Sequence, residues 1–194
     1  NPRSWPVATV GDVIESATYG TSKKAGAIGE FPVIRMGNIT YDGKLDLDDL
    51  KYVDLAEKDH SKHLVSTGDA LFNRTNSADL VGKTAVYRLA EPMAYAGYLI
   101  RLRTNDGLEP EYLGTFMNLP STKQTLRLMC KSIVGMANIN ATEVRRIEIP
   151  RGVSAPQSPG ARSCSHTRRA CAATLRMTMY GWSTLPDSDA STSG

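Results

Sequence analysis

Residues 68–77 read Gly-Asp-Ala-Leu-Phe-Asn-Arg-Thr-Asn-Ser, and Gly82-Lys83 follow shortly after. The Thr67-Gly68 pair signals a turn, and the apolar run behind it predicts a strand over residues 69–74. The strand is followed at once by polar side chains, which then project from a rigid base. This stretch therefore predicts a strand that carries a polar loop.

Short strands are predicted on both sides of this stretch. Runs of β-forming or alternating side chains predict them within residues 31–36, 83–89, 95–103 and 147–149. Helices are predicted to begin near residue 9 and to cover residues 110–117 and 121–130, where apolar side chains recur at helical spacing. We therefore predict an α+β fold, with a compact β-rich core and flanking helices.

The composition changes abruptly at residue 151. Residues 151–194 are rich in Ser, Ala and Arg and contain no Lys, Glu, Ile or Phe. Such low complexity is typical of segments without a packed core. The chain is thus divided into a domain over residues 1–150 and a poorly structured Arg/Ser/Ala tail over residues 151–194, which we expect to be disordered or aberrant.

The charge is also divided unequally between these two regions. The chain has 23 basic and 20 acidic residues, a net charge of +3. The tail holds five Arg and two Asp, so residues 1–150 are neutral with 18 residues of each sign. Any DNA binding by the domain must therefore come from locally clustered basic residues and not from a global positive field.

Composition excludes several other classes of protein. No stretch approaches the roughly 20 apolar residues that span a bilayer. Cys130, Cys164 and Cys171 lack paired spacing, which argues against a disulfide framework or a zinc site. We predict a cytoplasmic protein without a membrane partner.

Motifs of catalysis are absent or incomplete. Gly82-Lys83-Thr84 resembles the end of a phosphate-binding loop, but Ser77 stands where that motif needs its first glycine. His60 and His63 are three residues apart, within a charged run that fits a surface helix or loop better than a metal site. We predict no enzyme, no cofactor and no metal, with a small nucleotide-dependent enzyme as a third alternative.

Several polar loops carry side chains suited to DNA. Arg matches the acceptors of guanine, and Asn pairs with adenine. The candidates for base contacts are Arg35, Asn38, Arg74 and Asn76. The candidates for phosphate contacts or for support of the loops are Lys23, Lys24, Asn73, Ser77 and Lys83. Asn, Ser and Gly are also ordinary turn residues, so a purely structural role for each loop stays open.

An ordered series of motifs resembles the target-recognition domain of the specificity subunits of type I restriction–modification systems. The series comprises Trp5, residues 10–13 (Val-Gly-Asp-Val), 19–23 (Tyr-Gly-Thr-Ser-Lys), 32–39 (Pro-Val-Ile-Arg-Met-Gly-Asn-Ile), 68–77, 81–85 (Val-Gly-Lys-Thr-Ala) and 147–150 (Ile-Glu-Ile-Pro). The resemblance covers about residues 4–150. It implies a non-catalytic domain that reads half of a split site in double-stranded DNA.

The resemblance also implies partners. Such a subunit carries two recognition domains, separated by long helices, and directs DNA methyltransferase and restriction subunits to the site. Here one domain is present, and the tail replaces the spacer helix, which suggests a truncated or half-length member. A second specificity half or a homodimer would then complete the site. The alternative is a degenerate fragment that acts only as a protein-interaction scaffold, without DNA binding of its own.

Overall fold

The computed structural model describes residues 5–77, 80–133 and 136–151, which all belong to one unit, Asn1–Ala155. The predicted tail lies outside the described residues apart from Arg151. The strands are β1 (Val7–Thr9), β2 (Ile14–Tyr19), β3 (Phe31–Ile34), β4 (Lys51–Val53), β5 (Leu64–Val65), β6 (Ala70–Asn73), β7 (Thr75–Asn76), β8 (Thr84–Val86), β9 (Met93–Tyr95), β10 (Leu99–Thr104), β11 (Lys131–Ile133), β12 (Met136–Asn138) and β13 (Glu148–Pro150). The helices are α1 (Glu57–His63), α2 (Pro110–Asn118), α3 (Pro120–Met129) and α4 (Ala141–Arg145).

The central sheet is antiparallel and has the strand order β2-β10-β6-β8. β6 lies inside it, and all four of its residues are buried. Side chains alternate across a strand, so Ala70 and Phe72 join one apolar cluster while Leu71 joins another. The strand predicted over residues 69–74 is therefore an interior strand with packing on both faces.

A second sheet of order β4-β3-β9-β5 contributes to the cluster that contains Leu71. β3 and β9 run parallel, and the other pairs in this sheet are antiparallel. Ile34 from β3 and Tyr95 from β9 are fully buried in this cluster together with Leu99 of the central sheet. Apolar side chains of the two sheets thus share one buried cluster.

Helices contribute to the other cluster, with Leu113 and Met117 from α2 and Leu126 from α3. Both helices have proline in their first turn, where the missing N–H has no helical partner to lose. A Cβ added at Gly114 would lie 2.7 Å from Val86 Cγ2, so α2 approaches the sheet closely. The helices predicted over residues 110–117 and 121–130 and the α+β fold are confirmed.

Two local predictions were wrong. The helix expected near residue 9 is a single 3₁₀ turn, Val10–Asp12, which Thr9 caps and which leads directly into β2. The strand expected over residues 95–103 is divided between two sheets, because β9 ends at Tyr95 and β10 begins at Leu99. The turn at Gly97 separates them, and Ala96 O accepts from Leu99 N–H at 2.9 Å.

Candidate nucleic-acid interface

Arg74 lies between β6 and β7, at the end of the buried strand. Its N–H donates to Tyr98 O, and its carbonyl oxygen accepts from Ile139 N–H, both across 3.0 Å. The guanidinium Cζ lies 5.0 Å from the centroid of the Tyr19 ring. Among the described residues Arg74 has no carboxylate partner. The structure thus fixes the backbone of Arg74, while the terminal nitrogens of its side chain have no hydrogen-bond acceptor within the part of the chain that the structure describes.

The residues after Arg74 leave the central sheet and join a small antiparallel sheet of order β11-β12-β7. Thr75 pairs with Asn138, and Asn76 pairs with Ala137. Ser77 is exposed. The predicted polar loop is therefore partly a strand, held by backbone hydrogen bonds beside Arg74.

Asn73 is fully buried at the end of β6. Its N–H donates to Lys83 O, and its carbonyl oxygen accepts from Gly82 N–H, each across 2.8 Å. Both polar atoms of its side chain are buried without a hydrogen-bond partner among the described residues. These contacts fit the loop-support role and leave no surface for a phosphate contact in this conformation.

Lys83 is also buried, with 8% of its surface exposed. Its Nζ donates to the carbonyl oxygens of Met36, across 3.2 Å, and of Ile39. Burial lowers the pKa of Lys83 below its ordinary value. The ammonium group thus holds the 36–39 turn, which is the loop-support alternative for this residue.

Lys123 is a second buried lysine, which sequence reasoning missed. Its Nζ donates to Gly82 O across 2.8 Å and lies 5.7 Å from the centroid of the Tyr41 ring. Burial, together with the charge of Lys83, lowers the pKa of Lys123 to about 8. A lysine among polar neighbours in a helix carries no sequence signal of burial, because the apolar face of α3 predicts only Leu126 and its neighbours.

Arg35 and Asn38 form a closed turn between β3 and β4. The Arg35 guanidinium donates to both the carbonyl oxygen and Oδ2 of Asp49 at 2.8 Å. Asn38 is buried; its Nδ2 donates to Asp46 O at 2.9 Å and Asp49 O at 3.1 Å, and its Oδ1 accepts from Arg35 N–H at 2.9 Å. These side chains are used within the turn, so base contacts by either would first require these bonds to break.

The charge beside that turn is acidic. A surface depression of about 410 Å³ is lined by Arg35, Tyr98 and three aspartates, Asp46, Asp48 and Asp49. Carboxylates repel the phosphates of a DNA backbone. The depression beside Arg35 is therefore electrostatically poorly suited to a DNA backbone.

The basic loop after β2 borders a cleft of about 400 Å³ that also includes Tyr19 and Lys62. Lys23 Nζ donates to Asp54 O at 2.8 Å, and Lys24 is exposed. Tyr19 contributes to this cleft and also contacts Arg74. The structure thus brings Tyr19, at the end of β2, next to Arg74, whereas the side chains of Arg35, Asn38 and Lys83 all bond to residues of the 35–49 segment.

The enzymatic alternatives find no matching geometry. Gly82-Lys83-Thr84 leads into β8, whereas a phosphate-binding loop leads into a helix, and Lys83 is bonded to carbonyl oxygens. His60 and His63 lie on the short surface helix α1. Within residues 5–77, 80–133 and 136–151, no group of three or more His, Cys, Asp or Glu side chains is arranged to hold a metal ion. No helix in the same ranges is long and apolar enough to cross a membrane.

Comparison with known proteins gives three related sequences, and no family model matches this chain. The chain is 31% identical over 154 residues to a putative type I restriction enzyme MjaX specificity subunit from Methanocaldococcus jannaschii, covering 77% of this chain and 36% of that protein. It is 26% identical over 137 residues to the type I restriction enzyme EcoKI specificity subunit of Escherichia coli, covering 69% of this chain and 29% of that protein. The chain thus spans about a third of the length of the curated relatives it matches.

Solved structures share the fold. A chain from a study of complex assembly and conformational transition of the type I restriction–modification system aligns with a TM-score of 0.58 and 18% identity, covering 78% of this chain and 35% of that chain. The HsdS subunit from Thermoanaerobacter tengcongensis aligns with a TM-score of 0.51 and 17% identity, covering 78% of this chain and 34% of that chain. These matches confirm the resemblance that the motifs predict. The relatives are named as specificity subunits, in agreement with a recognition component and not a catalytic one.

Proposed function

Since this chain is related to the specificity subunits of type I restriction enzymes, we propose that its domain reads one half of a split site in double-stranded DNA. One observation carries this proposal: Arg74 is half-buried, its guanidinium lies over the Tyr19 ring, and it has no carboxylate partner among the described residues. Arginine supplies paired donors that match guanine O6 and N7 in the major groove. Arg74 is accordingly the leading candidate for a base contact, with Asn76 next to it.

Arg74 differs in this respect from the other arginines proposed or considered. Arg35 is paired with Asp49, Arg88 with Glu111, and Arg103 with Asp69. A carboxylate occupies the donors that a base or phosphate would need. Lys24 and Ser77, both exposed, remain candidates for phosphate contacts, and Lys23 would first have to release Asp54 O.

The neutral charge of residues 1–150 sets a limit on affinity. Phosphate contacts supply most of the non-specific binding of proteins to DNA. A domain without net positive charge therefore binds weakly alone, and we propose that a second specificity half, or a second copy of this chain, completes the site. DNA methyltransferase and restriction subunits are the proposed partners that the domain directs to DNA.

The test uses the full chain and a library of random duplexes at low salt. Bound duplexes are sequenced to give the preferred bases at each position, and the measurement is repeated for Arg74→Ala and Arg88→Ala. Arg88 is the control, because it is an arginine of the same domain whose guanidinium is paired with Glu111. We expect Arg74→Ala alone to remove the preference at one base position.

Two results would count against the proposal. If the chain binds no duplex at any salt concentration, the protein-interaction scaffold is the better interpretation. If Arg74→Ala and Arg88→Ala change the base preferences equally, Arg74 is not a base-reading residue. A measured preference confined to the Arg74 variant supports half-site reading.

A further inference from the structure

Tyr19 contacts Arg74, the arginine on which the proposed function depends. We propose that Tyr19 is a positioning residue, which fixes the direction of the Arg74 guanidinium and thereby the base position that Arg74 reads; this inference rests on the proposed function. The ring lies under the guanidinium, with 5.0 Å between Cζ and the ring centroid. That distance is within the range of attractive cation–π contacts.

The backbone of Arg74 leaves only the side chain free to move. Its N–H and its carbonyl oxygen are both hydrogen-bonded, to Tyr98 and Ile139. An arginine side chain loses considerable rotamer entropy when it is ordered on binding. A support that orders the side chain before DNA arrives therefore improves both affinity and the definition of the contact.

Tyr19 is itself held in two ways. It is the last residue of β2 and pairs with Ile100 of the central sheet. Its hydroxyl oxygen accepts a hydrogen bond from Ala141 N–H, the first residue of α4, across 2.9 Å. The ring is thus fixed between a sheet and a helix, and it transmits that rigidity to Arg74.

An aromatic support differs chemically from a carboxylate support. The Asp69 carboxylate that holds Arg103 accepts from Nε and one terminal nitrogen and so uses the donors of the guanidinium. A cation–π contact holds the guanidinium without a hydrogen-bond acceptor, so it does not require a carboxylate that would take up the donors needed by a base edge. Arg74 Nε is buried without an acceptor, so the free donors are the terminal nitrogens.

The experiment compares Tyr19→Phe, Tyr19→Leu and Arg74→Ala in the full chain. Tyr41→Leu is the matched control, because Tyr41 is an exposed tyrosine beside another cation, Lys123. The first readout needs no DNA: the side-chain proton resonances of Arg74 are recorded by NMR, where the ring current of Tyr19 shifts them upfield. The second readout is the base preference at each position of the selected duplexes.

We expect the upfield shift in the parent and in Tyr19→Phe, and its loss in Tyr19→Leu. At the position read by Arg74, Tyr19→Leu should reduce the base preference roughly 2- to 5-fold. This factor corresponds to the free energy of an exposed cation–π contact. Tyr19→Phe should retain most of the preference, and Tyr41→Leu all of it. In the Arg74→Ala background, Tyr19→Leu should have no further effect on that position.

The outcomes separate this inference from the proposed function. If Arg74→Ala changes the base preference and Tyr19→Leu does not, the inference is overturned while half-site reading stands. If neither variant changes the preference, both are overturned. If Tyr19→Leu weakens all duplexes equally without altering any preference, Tyr19 is structural only and the inference is again overturned.

Discussion

Asp69, at the start of the β6 stretch, accepts two hydrogen bonds from the guanidinium of Arg103, with Nε–Oδ1 and Nη2–Oδ2 distances of 2.8 Å each. Asp69 is 1% exposed, and Oδ2 also accepts from Ser66 N–H at 2.8 Å. The carboxylate therefore joins β6, β10 and the turn before β6. The strand that leads to Arg74 begins at this ion pair.

We expect Asp69→Ala to lower the free energy of unfolding by about 1–3 kcal/mol, because it leaves the half-buried Arg103 guanidinium and the Ser66 N–H without their acceptor. Urea unfolding followed by circular dichroism measures the change. Asp42→Ala is the control: Asp42 pairs with Lys44 on an exposed turn, where such pairs contribute about 0–1 kcal/mol. Equal losses in the two variants would contradict a structural role for the Asp69 pair.

Gly82 gives a second stability prediction. Its φ is +81°, a left-handed conformation that costs other residues about 1–2 kcal/mol, and an added Cβ would lie 2.5 Å from Leu126 Cδ1. Gly82→Ala should therefore lower the melting temperature, measured by calorimetry. Gly37→Ala is the matched control, since nothing lies within 4 Å of the position of its added Cβ. A Gly82→Ala variant as stable as the control would show that the loop relaxes freely.

Much of the fold follows from local sequence patterns. β6 and helices α2 and α3 have clear apolar periods and turn or proline signals, and all were predicted close to their observed bounds. β9 and β10 read as one strand, because alternation continues across Ala96 and Gly97. Their division depends on pairing with different sheets, which is a property of the tertiary structure.

The candidate site was less predictable than the fold. Local sequence cannot tell an arginine that contacts an aromatic ring, such as Arg74, from one paired with a distant carboxylate, as Arg35 is with Asp49. It also cannot tell that Lys83 and Lys123 are buried, because the carbonyl oxygens that accept from them belong to distant loops. The sequence shows which residues carry a charge, but it does not show which of these charges are taken up by partners elsewhere in the chain.

The lowered pKa of Lys123 predicts a pH dependence of stability. In the folded protein Lys123 loses its proton near pH 8, whereas in the unfolded chain it keeps the proton to about 10.5. Above pH 8 the unfolded state thus binds more protons, so the free energy of unfolding rises with pH, by at most about 1.4 kcal/mol per unit for one group. Lys83 acts in the same direction.

Urea unfolding at intervals between pH 7.5 and 9.5 tests this sign. In this range the raised pKa of Cys130 acts in the opposite direction, but it does so in the parent and in the variants alike, so the difference between them reports on Lys123. The Lys123→Met variant should show a flatter dependence than the parent, and the exposed control Lys58→Met should match the parent. A steeper rise in Lys123→Met than in the parent would contradict the assignment of this pH dependence to Lys123.

Lys24 and Lys83 should differ in their effect on DNA binding. Each phosphate contact contributes about 0.9 to the slope of the logarithm of the binding constant against the logarithm of salt concentration. Lys24 is exposed beside the Tyr19 cleft, so Lys24→Ala should reduce the slope by about 1 and weaken all duplexes alike. Lys83 is bonded to the carbonyl oxygens of Met36 and Ile39, so Lys83→Met should leave the slope unchanged and lower stability by about 1–3 kcal/mol.

Fluorescence anisotropy at four salt concentrations, paired with urea unfolding of each variant, separates the two effects. A reduced slope for Lys83→Met at unchanged stability would mean that Lys83 leaves its carbonyl oxygens and contacts phosphate when DNA binds.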